Sequence, residues 1–283
     1  MLLFLFRLVA RLPLRVLHAV GRALGRFVYA LPGRYRQRLR ANAAQAGYDD
    51  PAFARRAAGE IGAMILETPK VWLFEREMLE RVDVIGAEVI ETARAEGRGI
   101  LFLTPHLGCY EISARYISQF VPLTVMFRES RQDWLRPLMK AARNSSTLRA
   151  VPASTQGVRE FMRALKRHEA VGMLPDQVPS QGDGVWAPVF GRPAYTVTLP
   201  GRLAAQSGAV VVMVASERLK HGRGWQLHFV RVPDPEPESP VETATRFNAV
   251  MEAMIRRFPE QYLWSYNRYK KPKGASAAPG DAA

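Results

Sequence analysis

The chain has 283 residues, long enough for one sizeable core or two small ones, and 48% hydrophobic against 23% charged residues excludes wholesale disorder. Its single cysteine, Cys109, excludes an intrachain disulfide and a Cys-rich zinc site. Forty Lys and Arg against 26 Asp and Glu leave a formal charge of +14, so the surface should attract a phospholipid face, an acidic carrier protein, a phosphorylated substrate or nucleic acid.

The charge first acquires a pattern in residues 1–31, an apolar stretch punctuated by Arg7, Arg11, Arg15, Arg22 and Arg26. On a helical wheel these arginines fall within an arc of roughly 100°. Most of Leu5, Val9, Leu12, Val16, Val20, Leu24, Phe27 and Leu31 lies opposite, and Pro13 should kink the helix. No run approaches the roughly 18 uncharged apolar residues of a spanning helix. Arginines recurring through the apolar region also fit a cleaved signal peptide poorly. The pattern predicts an amphipathic helix at a membrane interface, with its arginines among anionic headgroups. A core-packed amphipathic helix, or a tilted anchor with snorkelling arginines, would read the same way.

Residues 51–81 read as largely helical, and alternation follows. Val82–Ile85 reads as a strand, Ala87–Ala95 as a helix, Gly99–Thr104 as a buried strand and Tyr110–Phe120 as a helix. Leu123–Phe127 reads as a strand, Val158–Lys166 as a helix and Ala170–Leu174 as a strand. Leu199–Gln206 reads as a helix, Ala209–Ala215 and Trp225–Val232 as strands, and Glu242–Phe258 as a closing helix. The expected fold is one α/β layered domain over residues 32–270, its sheet mixed and partly parallel, flanked by helices. The last two strands follow each other through a Gly-rich turn, which favours an antiparallel pair. Residues 271–283 have the composition of a disordered tail.

The strand Gly99–Thr104 runs into Pro105-His106-Leu107-Gly108, with Glu111 five positions after the histidine. On one continuous helix that spacing turns the two side chains about 140° apart. A strand-to-helix turn between them instead lets the Glu111 carboxylate point back to the imidazole. Such a pair suits removal of a proton from a hydroxyl: His is the base best matched to neutral pH, and a carboxylate on its other nitrogen fixes the tautomer. A histidine that merely satisfies a backbone carbonyl at the strand end is the plainer alternative.

The run from Ile100 to Glu111 resembles the His-x4-Asp/Glu block of glycerolipid acyltransferases, and specifically of the bacterial lipid A late (secondary) acyltransferases of the lauroyl/myristoyl type. Further segments are similar in order: Phe127-Arg128 with Arg143-Asn144, Leu174-Pro175-Asp176-Gln177, Val189 to Ala194, and Phe258 to Trp264 with Arg268-Tyr269-Lys270. The resemblance implies an acyl thioester donor, usually acyl carrier protein, and a glycolipid acceptor, most simply a lipid A precursor, at the cytoplasmic face of a bacterial inner membrane. It implies His106 as general base oriented by Glu111, Arg128 and Arg143 as donors to phosphate or to an oxyanion, and Asp176 as a carboxylate orienting one of those arginines. Ordinary surface arginines and a turn-capping aspartate are the alternatives for the last three. No metal or cofactor is implied, since the five histidines are scattered. Other glycolipids or lysophospholipids remain open as acceptors. The rivals are a thioesterase using Cys109 or water and a basic membrane- or nucleic-acid-binding protein. Zinc-finger spacing, an RNP-like aromatic block and zipper heptads are all missing from the sequence, which argues against nucleic acid.

Overall fold

The computed structural model describes residues 2–127, 132, 134–142, 145–180, 182–234 and 239–280. The first part is helical: α1 (Leu2–Arg11), α2 (Leu14–Ala30), α3 (Arg34–Gln45), α4 (Pro51–Leu73) and α5 (Glu75–Leu79). Alternation then runs β1 (Val82–Ile85), α6 (Glu88–Ala95), β2 (Ile100–Leu103), α7 (Tyr110–Ile117), β3 (Leu123–Phe127) and α8 (Arg136–Ala142). It continues with β4 (Leu148–Pro152), α9 (Thr155–Lys166), β5 (Ala170–Met173), β6 (Gly184–Val189) and β7 (Arg192–Val197). The chain closes with α10 (Leu199–Ser207), β8 (Val210–Arg218), β9 (Trp225–Arg231) and α11 (Pro240–Arg257).

Among the described residues the main sheet has seven strands, in the order β1-β9-β8-β2-β5-β3-β4. Its neighbours are parallel except for the antiparallel pair β8 and β9, so the mixed, mostly parallel sheet flanked by helices is the one expected. The inner strands are apolar on both faces because both faces are covered. Leu101, Leu103, Val171 and Val211 face a core that includes Phe161, Phe247 and Trp264. Ile100, Phe102, Ala170 and Val212 face one that includes Ile112, Ile117 and Ile90.

The sequence patterns miss helices α3 and α8, strand β4 and the hairpin β6–β7. Strand β4 carries Arg149 and Pro152, and its alternation is too short to stand out. The hairpin β6–β7 turns at Phe190-Gly191, both with positive φ (47° and 75°), between the paired residues Val189 and Arg192. That is a tight two-residue loop whose second position suits glycine.

The N-terminal segment is two helices broken at Leu12-Pro13, and it has three faces where the wheel suggests two. Ala10, Leu14, Leu17, His18, Gly21, Gly25 and Tyr29 are buried. Helix α2 lies so close to α4 that a Cβ on Gly21 would stand 2.6 Å from the Gly62 carbonyl oxygen, and one on Gly25 would stand 2.1 Å from that of Ala58. Glu67 of α4 accepts from His18 Nε2 (2.8 Å), from Arg218 Nε (2.9 Å) and from Trp225 Nε1 (3.1 Å), and pairs again with the Arg218 terminal nitrogen. Arg22 and Arg218 both donate to Glu60 (2.5 and 2.9 Å). The residues the wheel sets opposite the arginines do something else. Leu5, Leu12, Val16, Val20, Leu24, Phe27 and Leu31 are exposed, Phe27 to 64%. Among the described residues no helix is long and apolar enough to cross a membrane, so a spanning anchor finds no element here.

Beyond residue 270 the described chain forms turns. Ala275 packs with Val178 and Tyr195, and Trp186 Nε1 donates to the Ser276 carbonyl (3.2 Å).

Candidate active site

Parallel strands β2 and β5 are neighbours, with Leu103 registered on Met173. Each strand ends in a residue and then a proline: Thr104-Pro105-His106 after β2, Leu174-Pro175-Asp176 after β5. Proline ends the ladder, and equal offsets from a registered pair bring His106 and Asp176 together at the C-terminal edge of the sheet, where open α/β sheets form their crevices. The Asp176 carboxylate takes two hydrogen bonds from His106, one from the backbone N–H (2.9 Å) and one at Nδ1 (2.8 Å). Nε2 lies 3.2 Å from the side-chain nitrogen of Gln177. An amide nitrogen can only donate, so Nε2 accepts and the ring proton sits on Nδ1 toward Asp176. Burial pushes the Asp176 carboxyl up. The charge and hydrogen bonds of His106, with the nearby Arg268 charge, outweigh burial and leave it below its ordinary value.

The turn that follows is pinned from two sides. Gly108 has φ +61°, and a Cβ there would fall 1.6 Å from the Ser216 carbonyl oxygen, so the position requires glycine. Its N–H donates to the Gln261 carbonyl (3.1 Å), the Cys109 N–H donates to that of Ser216 (3.0 Å), and the Leu263 N–H donates to that of His106 (3.0 Å). The C-terminal segment 261–263 and the end of β8 therefore hold the histidine's own backbone. Tyr262 is buried beside it, and burial, with the Asp176 charge, raises its hydroxyl well above the ordinary value.

Cys109 is buried ahead of α7, and burial first, then the Glu67 charge, pushes its thiol well up. A neutral thiol is a poor nucleophile, which argues against a Cys109-based thioesterase.

Glu111 lies in the first turn of α7, so a strand-to-helix turn does separate it from His106. The residue at Nδ1, however, is Asp176. Arg115, fully buried one turn further along α7, donates to the Glu111 carbonyl (2.8 Å) and to its carboxylate (3.2 Å). The same guanidinium reaches the Ala142 carbonyl at the end of α8 (2.6 Å) and Glu75 (3.3 Å). Asp176 thus stands at the imidazole. Arg128 and Arg143 lie outside the described residues.

His106, Glu111, Arg115 and Gln177 line one cavity of about 770 Å³. Phe102, Ile117, Leu123, Val125 and Leu148 make part of its wall apolar, while Ser154, Ser180, Asp183 and Arg202 give another part polar groups. An apolar volume of this size with a few convergent polar groups suits an amphiphilic ligand. Gln177 and Arg115 were not singled out from the sequence; Arg115 carries a legible signal, an i,i+4 spacing from Glu111 on one helix.

Comparison with known proteins gives a match to the family described as bacterial lipid A biosynthesis acyltransferase over residues 1–271. The chain is similar to the lipid A biosynthesis lauroyltransferase of Escherichia coli (strain K12), at 29% identity over 94% of this chain and 90% of that protein. It is similar to the palmitoleoyltransferase of the same strain at 26% identity, over 77% of this chain and 71% of the relative. The myristoyltransferase of that strain is 28% identical over 70% of this chain and 62% of its own length.

Proposed function

This chain belongs to the bacterial lipid A biosynthesis acyltransferase family, and on that premise we propose that it moves a fatty acyl group from a thioester to a hydroxyl of a lipid A precursor, with His106 as general base. The observation that carries the reading is the imidazole whose Nδ1 is engaged by buried Asp176 beside an apolar cavity. Nε2 takes the proton of the acceptor hydroxyl as its oxygen attacks the thioester carbonyl. The tetrahedral intermediate then expels the donor sulfur, which leaves as a thiol with the proton returned by the imidazolium. Asp176 holds the tautomer and stabilises the imidazolium. Glu111 works from the cavity wall, where Arg115 anchors it, and Arg128 and Arg143 supply cationic donors to phosphate or oxyanion.

We assign acyl carrier protein as the donor because the chain's +14 charge suits an acidic partner. The exposed apolar stripe of α1 and α2 lies on the membrane interface, on the cytoplasmic face of the inner membrane, with the third face of α2 packed on α4. The test is mass spectrometry of purified enzyme incubated with acyl carrier protein thioesters and an under-acylated lipid A precursor. The product should gain one acyl mass with wild type and lose that gain with His106→Ala. Undiminished transfer by His106→Ala would refute the base assignment.

A further inference from the structure

A second cavity, of about 640 Å³, opens between α2, α3 and α4 and shares no lining residue with the first. Three guanidinium groups border it: Arg26 of α2, Arg36 of α3 and Arg55 of α4, with Phe27 and Tyr29 alongside. These arginines come from three different helices and converge on one volume. Like charges gathered this way repel unless something neutralises them. Arg22, one turn before Arg26, has such a partner in Glu60. Among the described residues none of Arg26, Arg36 and Arg55 forms an ion pair with a carboxylate, and Arg36 instead lies over the Tyr29 ring, 5.3 Å from its centroid.

Two neighbouring features bear on the charge and the source of a partner for these arginines. Helix α3 starts at Gly33 without a side-chain cap, and its first turn holds Arg34 and Arg36 but no acidic residue, an arrangement that favours an anion nearby. The cavity also borders the exposed apolar stripe: Phe27 belongs to both, and exposed Leu24 and Leu31 stand on either side of it along the chain. An anion held here would sit where the polar edge of a lipid layer meets its acyl chains. We infer that Arg26, Arg36 and Arg55 form a binding site for the phosphodiester headgroup of an anionic membrane phospholipid, separate from the site of acyl transfer. Guanidinium forks match phosphate oxygens, and three of them around one volume can hold a headgroup that a row of charges cannot. This rests on the interfacial placement of α1 and α2 proposed above.

The experiment is co-flotation of the full-length protein with phosphatidylcholine vesicles, with and without a minority of phosphatidylglycerol, at physiological salt. Phosphatidylglycerol should strengthen wild-type binding. The combined R26Q, R36Q and R55Q variant should lose that increment, by roughly five-fold per arginine, and keep its binding to phosphatidylcholine and its turnover in detergent. The R7Q, R11Q and R15Q variant removes the same charge from α1 and α2, outside the cavity lining, and should lose less; an equal loss would overturn the site in favour of diffuse attraction. No increment from phosphatidylglycerol in wild type would overturn it too. Equal thermal stabilisation by inorganic phosphate and by phosphatidylglycerol micelles would reassign the cavity to free phosphate and overturn the lipid assignment. L8D, L12D and V16D together test the placement itself: unchanged phosphatidylcholine binding would sink the interfacial reading, whereas its loss with a retained increment in the arginine variant would sink the headgroup site alone.

Discussion

With one oxygen of Asp176 on the His106 backbone N–H and the other at Nδ1, the imidazole is fixed in position and in tautomer together. Asp176→Asn separates these contributions. The amide can still accept from the backbone, but its nitrogen would donate to Nδ1, move the ring proton to Nε2 and remove the base from the cavity side. Steady-state kinetics should show kcat falling about 10²–10⁴-fold with KM little changed; a fall of less than ten-fold would mean that Nδ1 needs no anionic partner. Cys109→Ala should keep full transfer, since a buried, neutral thiol beside Ser216 does no chemistry, and lost turnover in a folded Cys109→Ala protein would revive the thioesterase rival. His106 stood out in the sequence through the resemblance of the run from Ile100 to Glu111 to an acyltransferase block, since a strand-end histidine alone reads equally as one that satisfies a backbone carbonyl. Its carboxylate partner was less legible. Glu111 is near in sequence and Asp176 is near in space, and only the parallel pairing of β2 with β5 makes the second visible. A signal was nonetheless present, the matching strand-x-Pro endings Leu103-Thr104-Pro105-His106 and Met173-Leu174-Pro175-Asp176.

Among the elements, α2 was the hardest to read because the face it buries is not its greasiest. Glycines and a histidine share the buried face with Leu14, Leu17 and Tyr29, while Val16, Val20, Leu24, Phe27 and Val28 stay outside. A wheel ranks faces by apolarity, so it found the exposed stripe and missed the packed one. The buried strands, by contrast, were read closely, with β8 running on from the expected Ala215 to Arg218, since continuous Val, Leu and Ile runs have few other uses. Where α2 meets α4 and β8, Glu67 receives His18, Arg218 and Trp225 with no exposure. Burial pushes its carboxyl up, but Arg218 and His18 outweigh burial and hold it at about 2, below the ordinary 4.5. A folded value below the unfolded one means that the unfolded chain binds more protons between the two. The stabilisation is therefore complete above about pH 4.5 and is lost as pH falls through about 2. Glu67→Gln leaves Arg218 buried with one carboxylate fewer and should cost about 3–5 kcal/mol in denaturant unfolding at neutral pH. A cost below about 1 kcal/mol, which is the range of exposed pairs, would contradict the network's role.

At the scale of the molecule, the N-terminal helices belong to the folded body as well as to its proposed membrane face. An expected boundary at residue 31 would cut His18 away from Glu67 and Gly21 away from Gly62. Removing that segment should therefore damage folding, and thermal unfolding of a chain lacking residues 1–31 should show a lowered or lost transition. An unchanged transition would restore the segment to the status of a detachable anchor. The same integration bears on the order in which the enzyme becomes competent. The backbone of His106 is gripped by Leu263 and that of Gly108 by Gln261, more than 150 residues further along the chain by their numbering. A nascent chain that has emerged only as far as α9 already carries its histidine and glutamate but has neither Asp176 nor the segment that seats the turn. Such a chain, folding from its N-terminus as it is made, would present the proposed interfacial face of α1 and α2 before its site is assembled. On the proposed interfacial placement, synthesis would thus bring the protein to the lipid surface while its site is still incomplete.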